Sequence, residues 1–360
     1  MRRFRLARKS HFGAAIALLL AGVPAAASAC SICIGFPGKT DADYLVEADC
    51  VVLARESAQN PFTFAPQETL KGHYDDSEIG LLADSKTRRI LRANPDRWVI
   101  LVQDARRGPW RSLGIVTKPY LSVARRIVVM LSDSGRPATA QQRWEFFLPL
   151  FGHGDSRVQQ LAYLEMGRAP YQVIKRLGRI ASRDDWMPML TDPRYFEWRP
   201  LAILLLAQSE QPQDNQRVLD AFHSAHRFGI TTNLAAWAAA AIEVESESTI
   251  RFIEDEYFCR AQSSAEELEA ITTSLSMHGS QQVPERQDRI VAGYRVLLQH
   301  HPQFAPQVAD DLHAWKRSEL TDVLAAIQAS ETELVSAGKQ SIQRYLRAVA
   351  SAKESALAHD

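Results

Sequence analysis

The chain has 360 residues, 46% of them hydrophobic, with 42 basic and 42 acidic side chains and four cysteines. That balance argues against nucleic acid as a partner, because polyanion binding relies on clustered lysine and arginine.

The first residues set the compartment. Arg2, Arg3, Arg5, Arg8 and Lys9 precede an alanine-rich apolar run that ends at Ala27-Ser28-Ala29. A positive start, an apolar middle and an A-x-A site are the anatomy of a signal peptide, here residues 1–29. The run is broken by Pro24 and falls short of the ~20 residues that a membrane span needs. Cleavage removes five bases and no acid and leaves 37 bases against 42 acids, a net −5. The expected location is periplasmic or secreted. The alternative is a lipid anchor at Cys30, which ends a weak acylation box, "ASAC". Only in that case is a membrane expected as a partner.

The mature chain then opens with "CSICIGFPGKT", residues 30–40. Gly38-Lys39-Thr40 matches the tail of a phosphate-binding loop, but the first glycine position holds Cys33 and no strand precedes it. Cys30 and Cys33 form a C-x-x-C without a thioredoxin-like setting, and Gly35, Pro37 and Gly38 favour an irregular segment. Two cysteines make no zinc site. No cofactor and no metal are expected. In an oxidising compartment Cys30, Cys33 and Cys50 are disulfide candidates. One bridge is expected within residues 30–50, from Cys33 or Cys30 to Cys50; closing a loop of about 17 residues is worth roughly 3 kcal/mol. Cys259, in "YFCRA" on a predicted helix, reads as a free buried thiol that packs as a small apolar residue.

Residues 30–137 carry short apolar runs at 50–54, 79–83, 98–102, 113–117 and 127–131. Runs of this length between Gly, Pro, Asp and Ser read as buried strands of a small sandwich or closed barrel. The stretch "CSIC…ADCVVLARE…ETLKG" resembles the start of netrin-like modules, the group that includes tissue inhibitors of metalloproteinases. Cys30, Cys33, Ala48, Asp49, Val51, Val52, Leu70, Lys71 and Gly72 carry the likeness. The resemblance implies a five-stranded OB-like barrel. It also implies inhibition of a protease through the free amino group and carbonyl of Cys30. The inhibitors usually have C-x-C, and they pair their first cysteines within the module, whereas no cysteine lies here between Cys50 and Cys259.

Residues 138–360 change to helical spacing. Ile342, Tyr345, Leu346 and Val349 form one face, as do Val308, Leu312 and Trp315. "LAILLLA" at 201–207 and "LAAWAAAAI" at 234–242 are apolar all round and predict helices buried between neighbours. Apolar helix, polar break and second helix recur at about 30–40 residues, the period of a HEAT-like solenoid. An irregular helical bundle is the alternative. The expected fold class is therefore a small netrin-like β-barrel followed by an all-α repeat domain.

Catalytic motifs are missing: there is no G-x-S-x-G and no H-E-x-x-H. Asp155 after His153 reads as a helix cap, and His300-His301 as a helix end before Pro302. Glu254-Asp255-Glu256 reads as solvated helix surface, and Trp144, Phe146, Phe147, Tyr195, Phe196 and Trp198 as core. The expectation is an exported, non-enzymatic protein that binds a protein partner. Protease inhibition through Cys30 and an envelope hydrolase are the alternatives.

Overall fold

The computed structural model describes residues 32, 38–75, 79–104, 108–131, 139–330 and 335–357. The signal segment, Cys30, Cys33 and the change of pattern near 132–138 lie outside them. The chain is mostly helical with one small antiparallel sheet, a β-plus-α layout. The N-terminal part holds α1 (Asp41–Glu47), β1 (Cys50–Glu56), β2 (Phe64–Lys71), α2 (Ser85–Ala93), β3 (Trp98–Gln103), β4 (Trp110–Val116) and α3 (Lys118–Leu131). Thirteen further α-helices follow among the described residues: α4 (Ala140–Phe147), α5 (Ser156–Gly167), α6 (Tyr171–Ile180), α7 (Arg183–Thr191), α8 (Arg199–Leu206), α9 (Pro212–Phe228), α10 (Leu234–Val244), α11 (Ser246–Ile253), α12 (Ala265–Gly279), α13 (Pro284–His300), α14 (Ala305–Trp315), α15 (Thr321–Ala329) and α16 (Ser336–Leu357).

The strand order is β2-β1-β3-β4, with every pair antiparallel. Both faces of the sheet are covered, which is why β1 and β3 read as unbroken apolar runs. Val51, Leu53, Ile100 and Val102 face α1 and α3. Cys50, Val52, Ala54, Val99 and Leu101 face Leu91 of α2. Among the described residues the sheet is open, with β2 and β4 as edges, in place of the expected closed barrel. Two of the five apolar runs are not strands. Residues 79–83 form a loop with a single bridge, Thr63 to Leu82. Residues 127–131 end α3, where Ile127 and Val128 are buried and Val129 and Met130 exposed. The helical spacing of α3 begins upstream, at Tyr120 and Ala124, with Pro119 in the first turn and Thr117 Oγ1 accepting from the Tyr120 amide at 3.3 Å. The run was long enough for a strand, but its flank decides the period.

Each edge is protected. β2 carries Pro66 and two register shifts, both of which discourage further pairing. Along β4 the Arg157 guanidinium of α5 donates to the outward carbonyls of Leu113 and Ile115. The same group pairs with Asp41 at 2.9 Å and lies over the Tyr120 ring, 4.4 Å from its centroid.

The helical part layers as its apolar faces predict. α6, α8, α10, α12, α14 and α16 touch in that order, with α7, α9 and α11 packed beside them. α8 and α10 are buried along their lengths, and in α10 Ala236 and Ala238–Ala241 let neighbouring backbones approach closely. The apolar core is continuous from Val51 of the sheet to Tyr345 of α16, so the two parts share one interior.

Within that interior His278 of α12 is fully buried. Arg286 and Gln281 can only donate to its Nδ1, at 3.1 and 3.0 Å, so Nε2 carries the proton and donates to Ala239 O at 2.7 Å. Burial, reinforced by Arg286 and Lys175, lowers its pKa to about 3. The unfolded chain, with an ordinary histidine near pH 6.5, takes up a proton that the fold refuses. His278 therefore contributes stability that is full above pH 6.5 and is lost as pH falls towards 3. Asp311, raised to about 6 chiefly by burial, acts oppositely between pH 6 and 3.8, because the fold holds its proton first. Comparison with His278→Gln cancels the Asp311 part. Urea unfolding at pH 7 and pH 5 is expected to show the wild type losing about 2 kcal/mol more than the variant. Equal losses would refute a neutral buried His278.

Candidate functional site

Most of the polar groups singled out in the sequence serve the fold. Thr40 caps α1, accepting from the Asp43 amide at 3.2 Å, and its hydroxyl donates to Glu165 Oε1 at 2.6 Å. Lys39 pairs with Glu47. The Gly-Lys-Thr motif is thus a helix start. Asp155 caps α5 by accepting from the Arg157 and Val158 amides, both at 3.1 Å, and takes the Thr117 hydroxyl at 2.6 Å. Its pKa is lowered by Thr117 and those two amides, which outweigh the larger opposing effect of burial. His301 is buried and its pKa lowered by that burial, whereas His300 is exposed. Glu254 is not solvated surface: both its oxygens take the Arg289 guanidinium, while Asp255 and Glu256 are exposed. Phe146, Phe147 and Trp198 are core, but Phe196 is 53% exposed.

Two cysteines, Cys50 and Cys259, lie among the described residues. Cys50 is a buried free thiol, pushed up in pKa by burial and then by Asp75 and Asp49. Cys30 and Cys33, the expected bridge partners of Cys50, lie outside the described residues. Cys259 is free but exposed, which corrects the expectation of burial. Residues 254–258 form a π-turn, and Tyr257 and Phe258 take its inward positions. Cys259, whose amide closes the wide turn onto Glu254 O at 2.9 Å, is left outside.

A groove of about 520 Å³ lies between α3 and the β2 edge of the sheet. Its floor is apolar: Leu53 of β1, Leu121 of α3 and the half-buried Trp98 of β3. Its rim is polar: Gln67 and Glu68 from β2, and Lys118, Ser122, Arg125 and Arg126 from α3. Arg125 meets Glu68 at 2.5 Å, with both side chains about half exposed and so well screened. Arg126 lies over the Phe146 ring, 4.9 Å from its centroid, which fixes the guanidinium at the rim. Lys118 and Arg126 have no carboxylate partner among the described residues. Ser122, Arg125, Arg126, Val129 and Met130 form one exposed stripe of α3 that leads away from the groove.

Sequence reading missed these residues because 127–131 looked like a strand. The signal was present: from Lys118 on, the apolar residues return every three or four positions, with bases between them. No group of three or more His, Cys, Asp and Glu among the described residues could hold a metal. None of their helices is long and apolar enough to cross a membrane. No family model matches the chain, nor does any curated protein or solved structure.

Proposed function

We propose that this is an exported binding protein that holds an acidic, leucine-bearing peptide segment of a partner protein in the groove between α3 and β2. The observation that carries the reading is the pairing of an apolar floor with three cations at the rim against the single carboxylate of Glu68. Apolar side chains of the segment would lie on Leu53, Trp98 and Leu121, and its carboxylates would meet Lys118 and Arg126. Such charge matching selects the partner and speeds encounter more than it adds affinity. The consecutive contacts of α6 to α16 support a HEAT-like stacking of the helical part, which would serve as a rigid support for α3 and its neighbours.

The test is calorimetric titration with a capped peptide of alternating aspartate and leucine, and with its lysine–leucine counterpart. The acidic peptide is expected to bind with a Kd on the order of micromolar to tenths of millimolar. Lys118→Glu combined with Arg126→Glu is expected to weaken it by ~10-fold or more. Equal binding of the two peptides, or an unaffected double variant, would remove this reading.

A further inference from the structure

On the opposite face of the sheet, an exposed apolar tip stands beside a basic helix. Phe62 precedes β2 and is 50% exposed at φ +76°, a backbone conformation that bulky side chains rarely adopt. The loop is held there by its own hydrogen bonds: Thr63 Oγ1 donates to Asn60 O at 2.6 Å, and the Asn60 amide to Ser57 Oγ at 3.1 Å. Leu82, 78% exposed, lies next to it, because Thr63 bridges to Leu82 and the Ala83 amide donates to Phe62 O at 2.6 Å. Both side chains leave much of their apolar surface in water.

Asp84 follows directly and caps α2, whose sequence SKTRRILRA holds four bases and no acid. Arg88 and Arg92 share one carboxylate, Glu56. The Arg88 guanidinium also lies over the Phe62 ring, 3.5 Å from its centroid, which fixes the aromatic side chain at the tip. Lys86 and Arg89 are exposed and have no carboxylate partner among the described residues. An aromatic and a leucine presented together, with lysine and arginine at their margin, match a headgroup–acyl boundary: the apolar pair embeds and the bases meet phosphates.

We infer that the Phe62–Leu82 tip and the basic α2 helix dock the protein on a membrane surface rich in anionic lipid. The apolar pair and the bases act together, since a few bases alone hold a protein weakly and salt screens them.

The experiment is flotation of the full chain with vesicles of phosphatidylcholine alone and with vesicles of equal parts phosphatidylcholine and phosphatidylglycerol. The readout is the excess binding to the anionic vesicles; the N-terminal run and its five bases are the same in wild type and variants, so the difference between them reports the tip and α2. The wild type is expected to show this excess, reduced in high salt. Phe62→Ser with Leu82→Ser, and separately Lys86→Glu with Arg89→Glu, are each expected to lower the excess by ~10-fold. All four positions are exposed, so circular dichroism and melting should match the wild type. No excess over neutral vesicles would overturn the inference. An excess that survives both double variants would do the same, and would place the lipid contact elsewhere on the chain.

Discussion

Replacing Arg143 with methionine is expected to destabilise the protein by about 3–5 kcal/mol, measured by urea unfolding. Arg143 on α4 donates to both oxygens of Glu165 on α5, at 2.6 and 2.8 Å, and to Asp43 on α1 at 2.6 Å. The carboxylates are deeply buried, with side chains 2% and 8% exposed. Burial opposes the charge on Arg143, but Glu165 and Asp43 outweigh it and hold the guanidinium charged well above its ordinary range. Asp43 is lowered against the cost of burial by the Thr40 amide, Arg143 and Arg168, the last at 2.7 Å. Without Arg143, Arg168 alone would face two buried carboxylates. Arg143→Lys keeps the charge but not the fork, and is expected to lose about half as much. Adding Glu165→Gln to Arg143→Met should recover part of the loss, because one uncompensated charge is removed. A single substitution that costs less than ~1 kcal/mol would mean that the network is not what joins α1 to the helical part.

Gly72→Ala is expected to cost about 3 kcal/mol or more, for two separable reasons. Gly72 sits at φ +72°, and a Cβ there would run into the carbonyl oxygen of Asp49, a backbone atom that cannot swing away. Gly229 offers the control. It has φ +61° at the end of α9, with open space around it. Gly229→Ala should therefore show the left-handed cost alone, roughly 1–2 kcal/mol. Gly80→Ala, with neither feature, should fall within about 0.5 kcal/mol of the wild type. Thermal melts of the three variants test the ranking, and Gly72→Ala no worse than Gly229→Ala would mean that the β1–β2 closure can relax. The Lys-Gly pair quoted for the netrin-like resemblance thus has a local physical use. Lys71 Nζ donates to the Val46 carbonyl at 2.5 Å at the end of α1, and Gly72 lets the chain pass Asp49.

Legibility followed the range of the deciding interactions. β1 and β3 were readable because burial on both faces makes their apolar runs continuous. The helices at 201–207 and 234–242 were readable for the same reason, and Pro200 sits in the first turn of α8. β2 was opaque to periodicity: FAPQETLK is an edge strand whose middle residues are exposed, and only the netrin-like resemblance pointed to a strand ending there. α3 misled because its last five residues are all apolar, although Ile127 and Val128 face the core while Val129 and Met130 face solvent. The outward turn of Cys259 depends on a π-turn that no residue pattern announces. The groove was illegible for a different reason. Leu53, Glu68, Trp98 and Arg126 come from four elements, and only the sheet order brings them together.

The guanidinium that seals β4 has a consequence for the order of events as the chain is threaded out N-terminus first. Arg157 lies 44 positions beyond Leu113, whose carbonyl it takes. A nascent chain emerges N-terminus first, so the whole sheet can assemble before α5 exists. During that interval the outer carbonyls of β4 are an unguarded template for strand addition by another chain. The hazard ends when Arg157 arrives and binds Leu113, Ile115 and Asp41 together. A truncation that stops after α3 would keep the four described strands and still be prone to self-association, because it lacks the latch and also bares the α3 face that α5 covers.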